Sequence, residues 1–308
     1  MPMRVAVTGT QGQIARSLLQ IGQRRGFEVM LVGRPGLELL DPSTIEPAIA
    51  AARPQVIVSA AAYTNIEAAE TEPAVADAVN ARGAAAVAMC ARKIGIPIIH
   101  LSTAYVFDGT SKNPYCEFDP VNPLNAYGRS KENGERAVAA AQPCHVILRT
   151  SLVNSPFKRN FAESILLGAS RKRSVPIVDD QLISPTTALD LAEGILSVAR
   201  NLLQAPTRED YFGTFHISGT ETTTPLELAR AVLCRSAAVG GPTATTVPIK
   251  LAEYVSRVRR PPNSALNCSK LAAIHDIRLP VWRASIDACV DQLLKRLQLI
   301  DSHRSLGK

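Results

Sequence analysis

The chain has 308 residues, of which 46% are hydrophobic and 20% charged, so its composition excludes a mainly disordered protein. The net charge of +7 is dispersed, and its densest clusters, 171–173 and 257–260, lack interleaved aromatic residues. A small polyanion such as a nucleotide explains them as well as nucleic acid does, and we expect no nucleic-acid partner. No apolar run reaches the roughly 18 residues of a membrane span, and no signal peptide precedes the first strand, so we expect a cytoplasmic protein without a membrane partner. Six scattered cysteines without a CxxC pair predict neither a zinc site nor a disulfide framework.

The first half alternates short apolar runs with Ala-rich stretches of helical spacing. Strands are predicted at 4–8, 28–32, 55–59, 97–102 and 145–149. Helices are predicted at 14–24, 45–52, 73–94 and 125–141. This alternation is typical of parallel strands with right-handed crossovers, so we predict an α/β fold with a doubly wound, Rossmann-type sheet.

After residue 150 the pattern loosens, and prolines separate shorter helices. We predict a dinucleotide-binding domain at 1–150. Residues 151–308 are predicted to form mainly a smaller, mixed α/β lobe that binds the substrate. A strand near 175–179 is an open candidate for a return to the central sheet.

A glycine-rich turn, TGTQGQI at 8–14, follows the first strand and opens the first helix. Glycines let the backbone approach a pyrophosphate, and the helix N-terminus supplies free N–H groups. Such a turn is often only a tight connection, but its place between strand and helix favours nucleotide binding. We therefore predict cofactor contacts from Gly9, Gly12, Gln13 and Ile14.

The end of the second strand is expected to meet the adenosine ribose of the dinucleotide. Arg34 stands there, and the nearest acidic residues are Glu38 and Asp41. An acid at this place favours NAD, whereas an arginine accommodates the 2′-phosphate of NADP. An exposed loop arginine is an equally good interpretation. We predict NADPH without excluding NADH, with Arg34 and Asp41 as candidate contacts.

Tyr127 and Lys131 are four residues apart and share one face of the predicted helix. A neighbouring ammonium lowers the pKa of a tyrosine hydroxyl, which is otherwise about 10. Thr103 stands at the end of the fourth strand, where ligands of open α/β sheets bind. A lone YxxxK pair would be chance. Combined with the glycine turn and Thr103, it predicts a catalytic group that protonates a carbonyl oxygen.

In this order, the glycine turn, Thr103 and the YGRSK segment at 127–131 resemble the extended branch of the short-chain dehydrogenase/reductase superfamily. Within that branch, the chain resembles the dTDP-4-dehydrorhamnose reductase family in nearly collinear order from residue 3 to about 297. The segments that carry this resemblance are AAAYT at 60–64, STAYVFDG at 102–109, RTS at 149–151, NFA at 160–162, DQ at 180–181, PT at 185–186 and RPPNS at 260–264.

The resemblance implies an NAD(P)H-dependent oxidoreductase that reduces the 4-keto group of dTDP-4-dehydro-6-deoxy-L-mannose to dTDP-L-rhamnose. It implies that Tyr127 donates a proton to the alkoxide, that Lys131 also holds the nicotinamide ribose, and that Thr103 hydrogen-bonds the carbonyl oxygen. The further cofactor contacts that it implies are Ala61, Ala62 and Tyr63. The substrate contacts that it implies are Thr103, Ala104, Leu152, Asn160 and Arg260.

Two positions depart from the family pattern. Ala104 stands where the family usually has an acidic residue, and Leu152 where it usually has a tryptophan. They leave open a reductase or epimerase of another nucleotide sugar, and a non-catalytic regulatory subunit of the same fold is a further alternative. Some family members form dimers and respond to Mg²⁺. The sequence shows no metal-ligand spacing, so a homodimer and Mg²⁺ dependence stay open and no metal-ligating residue is assigned.

Overall fold

The computed structural model describes the backbone of residues 2–305 and the side chains of residues 2–298. At its centre lies a parallel sheet of six strands. In spatial order the strands are β2 (Phe27–Val32), β1 (Met3–Thr8), β3 (Val56–Ser59), β4 (Ile98–Thr103), β5 (His145–Thr150) and β9 (Gly213–His216). The predicted doubly wound α/β fold is confirmed.

Helices cover both faces of this sheet, and further helices build a second lobe beside it. In chain order they are α1 (Gln13–Gly22), α2 (Ile45–Ala52), α3 (Ile66–Thr71), α4 (Pro73–Asp77), α5 (Ala84–Lys93), α6 (Ala126–Ala141), α7 (Phe161–Ala169), α8 (Ala188–Gln204), α9 (Pro225–Ala238), α10 (Ser269–His275) and α11 (Trp282–Ser305). The predicted helix 73–94 comprises α4, a π-helical segment (Ala78–Gly83) and α5. Among the described residues, no helix is long and apolar enough to cross a membrane.

The strands are mostly apolar because both faces of the sheet are covered. Successive side chains of a strand point to opposite faces. In β1, Val5 and Val7 belong to the core formed with α1 and α8, whereas Ala6 belongs to the core formed with α2 and α5.

The second lobe has a core of its own, formed by α7, α9 and α11. Leu166, Val232 and Trp282 are buried in it. Two small parallel sheets flank this core: β6 (Val153–Asn154) with β8 (Thr186–Thr187), and β7 (Ser174–Val178) with β10 (Thr245–Ile249).

The predicted return of a strand near 175–179 to the central sheet is wrong. The strand exists as β7, but its partner is β10, with Ser174 opposite Thr245. Pro176 has no N–H to donate to a central ladder, and half of β7 is exposed, so a small surface sheet suits it better. The strand that returns is β9, which pairs with β5 and buries Phe215 completely. Residues after 150 thus complete the sheet and, through α8, cover one face.

Candidate active site

A cavity of about 1140 Å³ lies at the carboxyl ends of β1, β3 and β4 and extends into the second lobe. Open parallel sheets bind ligands at this edge, where the strand order reverses, and here β1 lies between β2 and β3. The hydroxyl of Thr8 accepts hydrogen bonds from the N–H groups of Ala60 and Ala61, each at 3.0 Å. These bonds join the ends of β1 and β3 at the reversal.

The glycine turn opens α1 toward this cavity. Gly9 has a φ of +91°, in the left-handed region that favours glycine, and a Cβ there would lie 3.4 Å from Ala61. A Cβ added at Gly12, which precedes α1, would meet no described atom within 4 Å. No described side chain caps α1, so its first N–H groups are free for an anion. The turn fits a pyrophosphate, and the predicted contacts Gly9, Gly12, Gln13 and Ile14 all line the cavity.

At the predicted ribose end, the structure brings Arg34 to the cavity but not Asp41. The Arg34 side chain is 82% exposed, and its Nε lies 3.6 Å from Oε2 of Glu38. Asp41 caps a short 3-10 turn instead, since its Oδ1 accepts from the N–H of Ser43 at 3.1 Å and from its hydroxyl at 2.6 Å. The structure thus engages the Asp41 carboxylate in the local turn and not on the cavity wall, and Asp41 as a cofactor contact stays a prediction.

The predicted contacts Ala61, Ala62 and Tyr63 line the opposite wall. Buried Asn80 holds this loop in place. Its Oδ1 accepts from Tyr63 N at 2.8 Å, and its Nδ2 donates to Tyr63 O at 3.0 Å and to Ser130 Oγ at 2.9 Å. Because Ser130 is on α6, Asn80 ties the cofactor-side loop to the helix that carries Tyr127.

Tyr127 reaches the cavity because the first turn of α6 packs closely against the loop after β4. Asn125 caps the helix by accepting from Gly128 N at 2.8 Å. A Cβ at Gly128 would lie 2.2 Å from the carbonyl oxygen of Tyr105, so only glycine allows this approach. Tyr127 and Thr103 both line the cavity, and their side chains are close enough for the Thr103 hydroxyl to affect the pKa of Tyr127.

Lys131 lies behind this pair and does not line the cavity. It is only 2% exposed. Its Nζ donates to the carbonyl oxygen of Leu101 at 2.6 Å and lies 3.3 Å from Nε2 of His100. Burial raises the pKa of Tyr127 to about 12, although the neighbouring Thr103 hydroxyl opposes this shift. The predicted lowering of the Tyr127 pKa by Lys131 is therefore wrong: burial dominates, and the ammonium is held by β4.

Burial lowers the pKa of Lys131 to about 8, and Glu135, one turn further along α6, opposes this shift. Glu135 forms a buried, bidentate ion pair with Arg149 of β5, with N–O distances of 2.9 and 2.7 Å. Ser102 of β4 donates to the same carboxylate at 2.5 Å. This network fixes α6, and with it Tyr127 and Lys131, against the central strands.

Of the predicted substrate contacts, Thr103, Leu152, Asn160 and Arg260 line the cavity, whereas Ala104 does not. Ala104 is completely buried in a small apolar cluster that includes Phe107. The prediction of Ala104 as a contact is corrected, because its side chain turns inward into this cluster.

Asn160 and Arg260 differ in how far their polar atoms are already engaged within the protein. The Asn160 side chain caps α7 and donates to the carbonyl oxygens of Ser155 and Lys158 at 2.5 and 2.7 Å, so it is engaged within its own loop. Arg260 has only a 3.4 Å contact with Glu67 and stacks on Tyr254 at 5.1 Å. Its Nε is buried without a described partner. An anion in the cavity would satisfy it.

Sequence reasoning missed several residues that complete the site. Lys158 and Arg159 line the cavity just before Asn160, and their signal was two adjacent cations in a loop. Buried Gln181 also lines it, and its Nε2 donates to Pro261 O at 2.8 Å. The described charged residues of the lining are Arg34, Lys158, Arg159, Arg260 and Glu38. With four cations and one carboxylate, the cavity suits a polyanionic ligand.

Comparisons with known proteins agree with this geometry. The family model described as RmlD substrate binding domain matches residues 3–295. The dTDP-4-dehydrorhamnose reductase of Sinorhizobium fredii is 43% identical over 95% of this chain and 98% of its own. The Escherichia coli enzyme of the same name is 32% identical over 94% and 98%. This chain belongs to the dTDP-4-dehydrorhamnose reductase family.

The same family supplies a close structural match. The crystal structure of the Bacillus anthracis dTDP-4-dehydrorhamnose reductase in complex with NADP has a TM-score of 0.85 and 27% sequence identity. The match covers 94% of this chain and 99% of that one. Membership of the reductase family is thus supported by sequence and by fold over nearly the whole chain.

Within this reductase family fold, the site can perform acid–base chemistry at the cavity wall. With a pKa raised to about 12, Tyr127 is protonated at neutral pH and has a proton to give. In the described part of the chain, no group of three or more His, Cys, Asp or Glu residues could hold a metal ion.

Proposed function

We propose that this chain reduces the 4-keto group of dTDP-4-dehydro-6-deoxy-L-mannose, giving dTDP-L-rhamnose, with NADPH as the reductant. The observation that carries the proposal is the Thr103–Tyr127 pair on the wall of a cation-rich cavity, with the glycine turn at the same sheet edge. Family membership supports the same activity, because the relatives named above carry this reaction in their names.

When bound, the nicotinamide cofactor supplies the hydride that the carbonyl carbon accepts. The chain's own residues act on the oxygen. Thr103 donates a hydrogen bond to the carbonyl oxygen and aligns it with Tyr127. The Tyr127 hydroxyl then transfers its proton to the oxygen as negative charge develops, so no alkoxide is released into the cavity.

The residues present fit such a cofactor at three places. Gly9, Gly12 and the free N–H groups of α1 would hold the pyrophosphate. Lys131 lies behind Tyr127 rather than on the cavity wall, and as the family resemblance implies it would hold the nicotinamide ribose with the ammonium donor that Leu101 and His100 leave over. Arg34 would meet the 2′-phosphate that distinguishes NADPH from NADH.

The second lobe would bind the nucleotide diphosphate of the substrate. Arg260 is the main candidate, since its buried Nε lacks a described partner, and Lys158 and Arg159 add positive charge. We retain 1–150 as the cofactor domain and 151–308 as mainly the substrate lobe, with β9 belonging to the central sheet and α8 to the helices that cover it. We further propose that the enzyme acts as a homodimer.

A coupled assay tests the activity. It starts from dTDP-4-keto-6-deoxyglucose with a 3,5-epimerase and NADPH, and dTDP-L-rhamnose is the expected product. A chain that binds NADPH yet oxidises it with no keto sugar would be a non-catalytic subunit, and the proposal would fall.

One observation favours a second candidate, a reductase of a different nucleotide sugar. Leu152 lines the cavity with a side chain that can neither donate nor accept a hydrogen bond, and the sugar therefore loses a polar partner there. A panel of dTDP-, GDP- and UDP-linked keto sugars separates the two. Preference for a GDP- or UDP-linked sugar would replace the first proposal.

Cofactor choice depends on Arg34, and the variant Arg34→Ala tests it. A charge-assisted contact to the 2′-phosphate contributes about 1.5–3 kcal/mol, but exposure at the rim reduces this, so we expect a preference for NADPH of roughly tenfold. Arg34→Ala is expected to bring kcat/KM for NADPH down to the value for NADH and to leave NADH unaffected. Equal loss with both cofactors would show that Arg34 does not contact the 2′-phosphate.

A further inference from the structure

His100 is a buried titratable residue that the chemistry above does not use. It lies on β4 and is 1% exposed. Its ring bridges two elements: Nδ1 lies 3.2 Å from Ser59 Oγ on β3, and Nε2 lies 3.3 Å from Lys131 Nζ on α6. His100 falls within the strand predicted at 97–102. In the structure its ring contacts the side chain of Lys131.

The surroundings determine the protonation of this ring. Burial holds the pKa of His100 well below its usual value of 6.5, and the charge of Lys131 acts in the same direction. A neutral imidazole has one N–H donor and one acceptor, whereas an ammonium group only donates. Nε2 must therefore be the acceptor toward Lys131, and Nδ1 carries the proton and donates to Ser59.

Two acceptors now account for the direction of the Lys131 ammonium. The carbonyl oxygen of Leu101 and Nε2 of His100 take two of its three donors, and the third is fixed by tetrahedral geometry. The other titratable groups that face this pair are Glu135 on α6 and His145 on β5. Only Glu135 carries a charge that favours the ammonium, and it is already paired with Arg149.

We propose that His100 is a positioning residue for Lys131: the chain Ser59–His100–Lys131 keeps the lysine charged and fixes the direction of its remaining donor, which the proposed function assigns to the nicotinamide ribose. The inference deepens the proposed function, on which the role of Lys131 depends. The part that concerns Lys131 itself is a property of the free protein and is testable without any substrate.

The test compares His100→Leu with His100→Gln. Leucine keeps much of the volume but removes the acceptor, so the ammonium is less favoured and the pKa of Lys131 falls by about one unit. Glutamine can place its Oε1 near the position of Nε2, so the pKa of Lys131 in His100→Gln is expected to stay near the wild-type value. The readout is a pH titration of the ¹³Cε-labelled lysines by NMR, with the Lys131 resonance assigned by its loss in Lys131→Met.

A matched control is His275→Leu, since His275 is also buried but packs against Tyr211 and Asn201, away from α6. It is expected to leave the Lys131 titration unchanged. Circular dichroism checks that each variant is folded. A His100→Leu variant whose Lys131 titrates like wild type, or a glutamine variant shifted as far as the leucine variant, overturns the proposal.

Turnover and NADPH binding form a second arm. In His100→Leu, the alkaline limbs of the pH profiles of kcat and of NADPH affinity should move to lower pH. In His100→Gln, both profiles should stay near those of the wild type. If no keto sugar is reduced but the NMR shifts appear, the proposed function fails while the role of His100 stands. If turnover is normal and the Lys131 titration does not shift, the proposed function stands and the role of His100 fails.

Discussion

At the scale of single residues, the site buries two groups whose charge or proton the chemistry needs. Burial disfavours the charged form of each, so it raises the pKa of Tyr127 to about 12 and lowers that of Lys131 to about 8. Tyr127 thus stays protonated throughout the neutral range. Lys131 stays charged only because acceptors and Glu135 surround it.

Tyr127→Phe removes the proton donor and keeps the ring. We expect kcat to fall by on the order of 10²–10⁴, the usual contribution of a positioned general acid, and NADPH affinity to change little. Steady-state kinetics and fluorescence titration measure the two effects. Tyr211→Phe, on the far side of the molecule, is the control. Turnover near the wild-type value would remove Tyr127 from the mechanism.

Lys131→Met is expected to stabilise the fold while it abolishes cofactor function. The folded pKa of Lys131 is about 8 against 10.5 in the unfolded chain, so below pH 8 the folded state carries the cost of a buried charge. As pH rises from 8 to 10.5, the unfolded chain binds more protons and this cost disappears.

The gain of Lys131→Met in the free energy of unfolding should therefore be on the order of 1–3 kcal/mol at pH 7 and smaller at pH 10. Urea unfolding at both pH values measures it. Exposed Lys93→Met is the control, with little change expected at either pH. A variant less stable than wild type at pH 7 would mean that the hydrogen bonds to Leu101 and His100 outweigh the burial cost.

At the scale of elements, two glycines serve opposite purposes. Gly128 lets α6 approach the loop after β4, and a Cβ there would overlap the Tyr105 carbonyl oxygen at 2.2 Å. Gly12 instead leaves space open: it lines the cavity, and its Cβ would meet nothing within 4 Å among the described atoms. Gly128 is needed for packing, whereas the proposed function needs Gly12 for a ligand.

The alanine variants of these glycines should separate the two purposes. Gly128→Ala is expected to cost about 1–3 kcal/mol of stability, as overpacking does, and to lower kcat by moving Tyr127. Gly12→Ala should cost about 0.5–1 kcal/mol, as a change of cap residue, yet weaken NADPH binding at least tenfold. Thermal unfolding and fluorescence titration measure both. Unchanged NADPH affinity in Gly12→Ala would place the pyrophosphate elsewhere.

At the scale of the whole molecule, a single carboxylate reaches from the sheet domain to the second lobe beside the cavity. Glu67 of α3 accepts from Ser256 Oγ at 2.6 Å and lies 3.4 Å from Nη2 of Arg260. Arg260 is also the proposed diphosphate partner. Glu67 therefore competes with the substrate for one guanidinium group.

Glu67→Gln is expected to tighten dTDP binding two- to fivefold, because exposed ion pairs contribute up to about 1 kcal/mol and the competitor is removed. The difference should shrink as salt is added. Isothermal titration calorimetry with dTDP measures it. Glu46→Gln, whose partner is Lys93 on the far helices, is the control. Weaker dTDP binding in Glu67→Gln would assign the carboxylate to the substrate instead.

The sequence by itself determined five of the six strands of the central sheet and the elements that carry Tyr127 and Thr103. Strands buried on both faces are mostly apolar runs, so β1 to β5 were predicted to within about a residue of their ends. The spacing of Tyr127 and Lys131 places both on one helix face, and Thr103 ends a strand at the ligand-binding edge. These features are local, and local patterns encode them.

Only the tertiary structure decided which partner each group meets. The pairing of β7 with β10 joins segments about seventy residues apart, and the sequence of β7 does not indicate which strand it pairs with. Helical spacing put Lys131 beside Tyr127, but its ammonium went to Leu101 and His100 because burial left it those acceptors. The Asp41 carboxylate accepts a hydrogen bond within its own turn, and the Ala104 side chain packs in an apolar cluster. Packing and the cost of leaving buried polar groups unsatisfied decide which neighbours each side chain contacts. These neighbours come together only when the chain folds.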